Sequence, residues 1–154
     1  MTVETKLALS AEEVRSFSTT NNEPAAFADF RVAAIEKATT LELPKPDRTN
    51  ISKWNFIDFP THTVESAPFA SLDEVPAEVK AVIDAETQEN LYIQRNNTPA
   101  FIKVSKELTD KGVIFTDIQT AIREHADLVE KYFMTTAVKV DEHKLTAYHA
   151  ALVN

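Results

Sequence analysis

The stretch NLYIQRNNTPAFIKVSKELTDKGVIFTDIQTAIREHADLVEKYF, Asn90 to Phe133, decides the fold. Leu91 and Ile93 project to one side and Tyr92 and Gln94 to the other, the period-two alternation of a half-buried strand. Asn96-Asn97-Thr98-Pro99 interrupts it, because asparagine tolerates positive φ and proline brings no N–H to a ladder. Ile102 and Val104 resume the alternation, with Lys103 and Ser105 outward. Asp110-Lys111-Gly112 marks a second turn whose left-handed corner suits Gly112, and the apolar run Val113-Ile114-Phe115 reads as a third strand. Thr116 and Gln119 have the spacing of a capping box that opens a helix.

That helix runs from Asp117 to Phe133. Ile118, Ala121, Ile122, His125, Leu128, Val129, Tyr132 and Phe133 recur at spacings of three and four, while Arg123, Glu124, Asp127, Glu130 and Lys131 take the opposite side. The expectation is an α+β fold, mostly helical, with a small three-stranded, largely antiparallel sheet over residues 90–116.

Working outward, residues 1–42 form a helical lead-in. Ser10 and Glu13 make another capping box, with Val14 and Phe17 on one side of a short helix. Asn21-Asn22 ends it, Asn22 caps the next helix, and Pro24 fits that helix's first turn. Phe27, Phe30, Ala34, Ala38 and Leu41 then fall on one stripe, opposite Asp29 and Glu36. Pro44 and Pro46 stop the helix. Residues 43–70 carry four prolines and no helical period, and read as an extended segment anchored by Trp54, Phe56 and Phe59, with Phe69 as a further aromatic. Burying each such ring contributes roughly 1.5–3 kcal/mol.

Residues 71–86 return to helix, with Pro76 near the start and Val79, Val82 and Ile83 as a small apolar face. Met134 to Val140 reads as a linker or a short strand. Asp141 caps a last helix with Leu145, Tyr148, His149 and Leu152 on one side, and the helix from Glu142 to Asn154 is expected to be less fully packed than that from Asp117 to Phe133. The whole of residues 1–154 reads as one domain, its final helices (117–154) leading toward a core that lies outside this sequence.

With 154 residues, 44% of them hydrophobic and 26% charged, the chain has an ordinary globular composition. No apolar run approaches the ~20 residues of a membrane span, and Met1 to Leu9 lacks a secretion signal, so a cytoplasmic protein is expected. The absence of cysteine excludes disulfides, thiolate nucleophiles and thiolate metal ligands within the chain. A net charge of −8, with lysine and arginine scattered, argues against nucleic-acid binding. The single glycine is far below the usual ~7%, the imbalance of a chain ending before a glycine-rich part.

Chemistry-bearing residues are sparse. His125 lies on the apolar stripe, where a packed histidine with one hydrogen bond is the plainer reading beside a ligand or general base. His143 and His149 are six apart, about 240° around a helix, so they do not chelate one metal. His62 has only Glu65 nearby in sequence. Glu12-Glu13, Asp73-Glu74 and Asp141-Glu142 stand at helix starts, where the macrodipole accounts for them. No phosphate loop, nucleophile elbow, H-E-x-x-H or EF-hand pattern occurs. The residues point to no catalytic, cofactor-binding or metal site.

Three stretches carry a resemblance. Ser52-Lys53-Trp54-Asn55-Phe56-Ile57-Asp58-Phe59, then Glu107-Leu108-Thr109-Asp110-Lys111-Gly112-Val113-Ile114-Phe115, and the helix from Asp141 to Asn154 together resemble the SufB/SufD family of iron–sulfur cluster assembly proteins, most like the N-terminal region of its SufD branch. The resemblance implies the N-terminal piece of a longer scaffold subunit that continues into a glycine-rich parallel β-helix. It implies SufB and the ATPase SufC as partners of the full-length protein, in a SufBCD complex, with no enzyme activity and no cofactor in this piece. A second reading is a small metal-dependent or acid–base enzyme using His62, His125 or His149 with carboxylates. A third is a free-standing interaction module.

Overall fold

The computed structural model describes residues 9–56, 67–83, 89–96 and 98–153, and the chain divides into two compact units. One combines Met1–Phe59 with Ile118–Asn154, and the other is Pro60–Asp117. The architecture is α+β and mostly helical, with a two-stranded antiparallel sheet. No helix among the described residues is long and apolar enough to cross a membrane.

The helical unit is built on α1 (Ala11–Thr20), α2 (Ala25–Thr40), α5 (Ile118–Glu124), α6 (Ala126–Tyr132) and α7 (Lys144–Leu152). The predicted box opens α1: Glu13 N–H donates to Ser10 Oγ at 3.2 Å, and Ser10 N–H to Glu13 Oε2 at 2.7 Å. Asn22 takes a left-handed φ of 55° and makes the corner, so it is Pro24 that holds the N-cap position of α2. An N-cap residue needs extended dihedrals, which a residue at positive φ does not have.

From α2 the residues Phe27, Ala28, Arg31, Ala34, Ile35 and Ala38 are buried, and the helix packs against α1 and α7. The contact with α7 is made of small side chains. Ala34 and Ala38 face inward from one helix and Ala147, Ala150 and Ala151 from the other, all at most 1% exposed. Such side chains bring helix axes close, toward the short end of the usual ~8–10 Å.

The last helix starts later than expected. His143, not Asp141, is its N-cap, accepting the Thr146 N–H on Nδ1 at 3.2 Å while its own N–H donates to Thr146 Oγ1 at 3.1 Å. Its inward face is Thr146, Ala147, Ala150 and Ala151, whereas Leu152 is exposed and Leu145 and Tyr148 are half-buried. Packing is therefore the reverse of expectation, since α5 and α6 each bury one residue, Ile122 and Val129. The single helix expected over Asp117 to Phe133 is two. His125, at φ −133° and ψ 40°, leaves the α region and restarts the chain as the N-cap of α6. Ile122 and Val129 still join one core cluster with Phe27. The capping contact expected of Gln119 is not made: its Nε2 donates to Val153 O at 3.4 Å, and its Oε1 is buried without a partner. Met134 to Val140 holds turns and bends, Met134 at φ 51°, with no strand.

Among the described residues of 43–70 no helix or strand occurs. Its buried side chain in the helical unit is Ile51, not Trp54, which is 56% exposed with its ring 6.1 Å from that of Phe56. Phe59 lies outside the described residues.

In the second unit, the described part (71–83) of the helix expected over 71–86 is a 3₁₀ turn (Leu72–Glu74) followed by the single-turn α3 (Ala77–Lys80), and residues 84–86 lie outside the described residues. Pro76 forces Val75 out of the α region, to ψ 134°, and so splits the two. Val75 is the buried residue here, while Val82 is 82% exposed.

β1 (Leu91–Arg95) pairs with β2 (Thr98–Lys103) around a turn at Asn96, φ 54°. Ile93 pairs with Phe101 and Gln94 with Pro99, so Ala100 is the extra residue of a bulge. Pro99, expected to break the strand, sits inside β2 beside that bulge, where a ladder N–H is dispensable. The freed Ala100 carbonyl accepts the Phe69 N–H at 2.8 Å.

Residues 113–115 form no third strand. After Ser105 the chain turns into α4 (Lys106–Asp110), and Gly112, φ 74°, closes that helix instead of joining two strands. Val113 N–H donates to Leu108 O at 3.0 Å and Gly112 N–H to Thr109 O at 2.9 Å, the paired bonds of a Schellman C-cap. With its first amide spent on that cap, Val113-Ile114-Phe115 runs on as coil, 41–46% exposed.

Candidate functional site

The histidines named above do not converge. His62 lies outside the described residues. His125 is half-buried at the break between α5 and α6, its backbone carbonyl accepting from Leu128 and Val129. His149 is on the exposed side of α7 with its ring 6.3 Å from that of Phe133, and His143 is spent as a cap. Among the described residues no three His, Asp or Glu side chains are arranged to hold a metal ion.

The perturbed ionisable groups have local causes. Hydrogen bonds from the Ser10 backbone and side chain hold the Glu13 carboxyl below its ordinary value. Glu42 and Lys45 pair at 2.7 Å on the surface, which lowers the acid and raises the base. Burial, and then the Asp117 charge, raise the Tyr92 phenol. None of these groups lines the cleft described next.

Among the described residues the helical unit has an apolar cleft of about 260 Å³. Phe27 and Phe30 reach it from α2, Ile122 from α5, and Phe133 and Met134 from the turn after α6. The three phenyl rings pack on one another with centroids 5.3–6.1 Å apart. The polar lining is Glu130 and Thr135, both exposed. The volume is just under the ~300–1,000 Å³ of small-molecule sites. Apolar walls with one carboxylate suit the capture of an apolar side chain. They offer no nucleophile–base pair.

Behind Phe27 lies a buried polar cluster that reading the sequence missed. Arg31, 0% exposed, donates from Nε and NH2 to the two oxygens of Glu23 at 2.8 and 2.7 Å. It also donates from NH1 to Ala151 O at 2.9 Å and from NH2 to Val153 O at 2.6 Å. Its guanidinium lies 5.1 and 4.9 Å from the ring centroids of Phe17 and Phe27. The available signal was an arginine four residues after Phe27 and three before Ala34, inside an apolar stripe.

Comparison with known proteins sharpens this picture. The chain is 57% identical, over all of its length, to the iron–sulfur cluster assembly protein SufD of Bacillus subtilis, of which it covers 36%. It is 31% identical, over 90% of its length, to an iron–sulfur cluster assembly SufBD family protein of Staphylococcus aureus strain USA300, of which it covers 31%. The chain thus spans about a third of the length of these relatives. No family model matches it. No solved structure matches it.

Proposed function

This chain belongs to the SufB/SufD family of iron–sulfur cluster assembly proteins, most like SufD, and on that premise we propose that it is the N-terminal domain of a SufD-like scaffold subunit. The observation that carries the proposal is the 57% identity held across the whole chain, at which function within a family is commonly retained. In this reading residues 1–154 act as a non-catalytic domain flanking the rest of the subunit, in the cytoplasm, with no cofactor of their own. The full-length protein assembles with SufB and SufC, and neither nucleic acid nor membrane is a partner. A net charge of −8 and the scattered basic residues support the exclusion of nucleic acid.

The test is reconstitution. Full-length protein co-expressed with SufB and SufC should copurify as a defined complex, and removal of residues 1–154 should reduce complex yield or cluster loading. A full-length protein that stays apart from both partners would sink the proposal. So would turnover of a substrate, or stoichiometric metal binding through His125 or His149, by the 154-residue chain alone.

A further inference from the structure

The buried Glu23–Arg31 pair has an unusual target. A helix leaves its last carbonyls without intrahelical partners, and at the end of α7 one of them belongs to Ala151, which is fully enclosed. Arg31 supplies donors to the carbonyls of both Ala151 and Val153, and its charge faces the negative end of the helix dipole. Four of the five guanidinium N–H bonds are used, two of them on Glu23, which neutralises the buried charge. Gln119 of α5 donates a further bond to Val153 O at 3.4 Å. Two separate places in the chain, Arg31 of α2 and Gln119 of α5, thus converge on the end of α7, where Val153 is extended at φ −56° and ψ 131°.

We propose that Glu23 and Arg31 form a latch that pins the end of α7 and sets the direction in which the backbone leaves it. The latch acts locally: it holds the last turn of one helix, and the alanine-lined packing of α2 on α7 carries the unit. In the full-length scaffold, a role that rests on the function proposed above, the latch orients the helical unit relative to whatever follows Val153.

Removing one partner strands a buried charge, so the informative variant replaces both. Apolar replacement of a buried pair is often neutral for global stability. In Glu23→Leu/Arg31→Met the urea midpoint should stay near that of the parent. Hydrogen exchange of the Ala151–Val153 amides should nevertheless rise about tenfold or more relative to those of α2. Arg31→Lys keeps the charge but offers a point donor in place of the fork, and should give the same pattern at about threefold. Unchanged exchange at Ala151–Val153 would overturn the latch, as would equal acceleration throughout α1 and α2 or global unfolding of both variants. In full-length protein the double variant should lose complex with SufB and SufC. Local fraying with an intact complex removes the orienting role and leaves the latch. A parent that forms no complex removes the family function instead.

Discussion

Ala38, Ala150 and Ala151 are completely enclosed in the helical unit, whereas the larger and more apolar Val113, Ile114 and Phe115 remain more than two-fifths exposed in Pro60–Asp117. Burial here follows the geometry of the neighbours more than the hydrophobicity of the residue. Two helices that face each other with alanines approach closely, and the alanines between them are at most 1% exposed. In the other unit the sheet among the described residues has two strands, and a two-stranded hairpin by itself is marginal in water. Among the described residues that unit fully buries only Val75 and Ala100 of its hydrophobic side chains. The same chain thus holds a packed helical body and a thinly supported hairpin.

The contrast can be broken by experiment, most forcefully at Ile122. That side chain is 0% exposed beside Phe27 and Val129, so Ile122→Ala should cost about 3 kcal/mol in urea unfolding. A loss below about 1 kcal/mol would show that this core is loose. Overfilling the alanine interface is next: Ala150→Leu should cost about 2 kcal/mol, because the facing helix leaves no room.

In the other unit the largest single effect is conformational. A Cβ at Gly112 meets nothing within 4 Å, so Gly112→Ala should cost about 1 kcal/mol through the left-handed φ of 74° alone. Ile114→Ala should change stability by less than about 0.5 kcal/mol, which a urea midpoint resolves against Ile122→Ala. Native-state hydrogen exchange should rank β1 and β2 as opening before α2 and α7, and the reverse order would undo the comparison.

The smallest effect is a pH response confined to α1. The folded state depresses the Glu13 pKa below its ordinary 4.5, so the capping box contributes above that value and is lost as pH falls through the depressed one. Relative to the intrinsic rate at each pH, protection of the Ser10 and Glu13 amides should therefore fall on acidification in the parent and stay flat in Glu13→Gln.

Local signals proved legible where they concern neighbours in sequence. The Ser10–Glu13 box, the left-handed corner at Gly112 and the Leu91–Arg95 strand each depend on backbone preferences within a few residues. Periodicity also placed Ile122 and Val129 on one face, because the break at His125 left them in the same cluster. What the Gly112 corner connects was another matter: a Schellman cap and a hairpin turn want the same residue, and only the path after Ser105 separates them.

The residues of this chain by themselves determined its helical bias, its family and the sites of its sharpest turns, since propensity and side-chain identity act at short range. Tertiary structure alone decided that α7 turns its alanines inward, that Trp54 stays in solvent and that Arg31 reaches across the chain to the end of α7. Those outcomes depend on which surfaces meet. A buried guanidinium is tolerable only where a carboxylate and free helix carbonyls arrive together, and nothing local to Arg31 announces that they will.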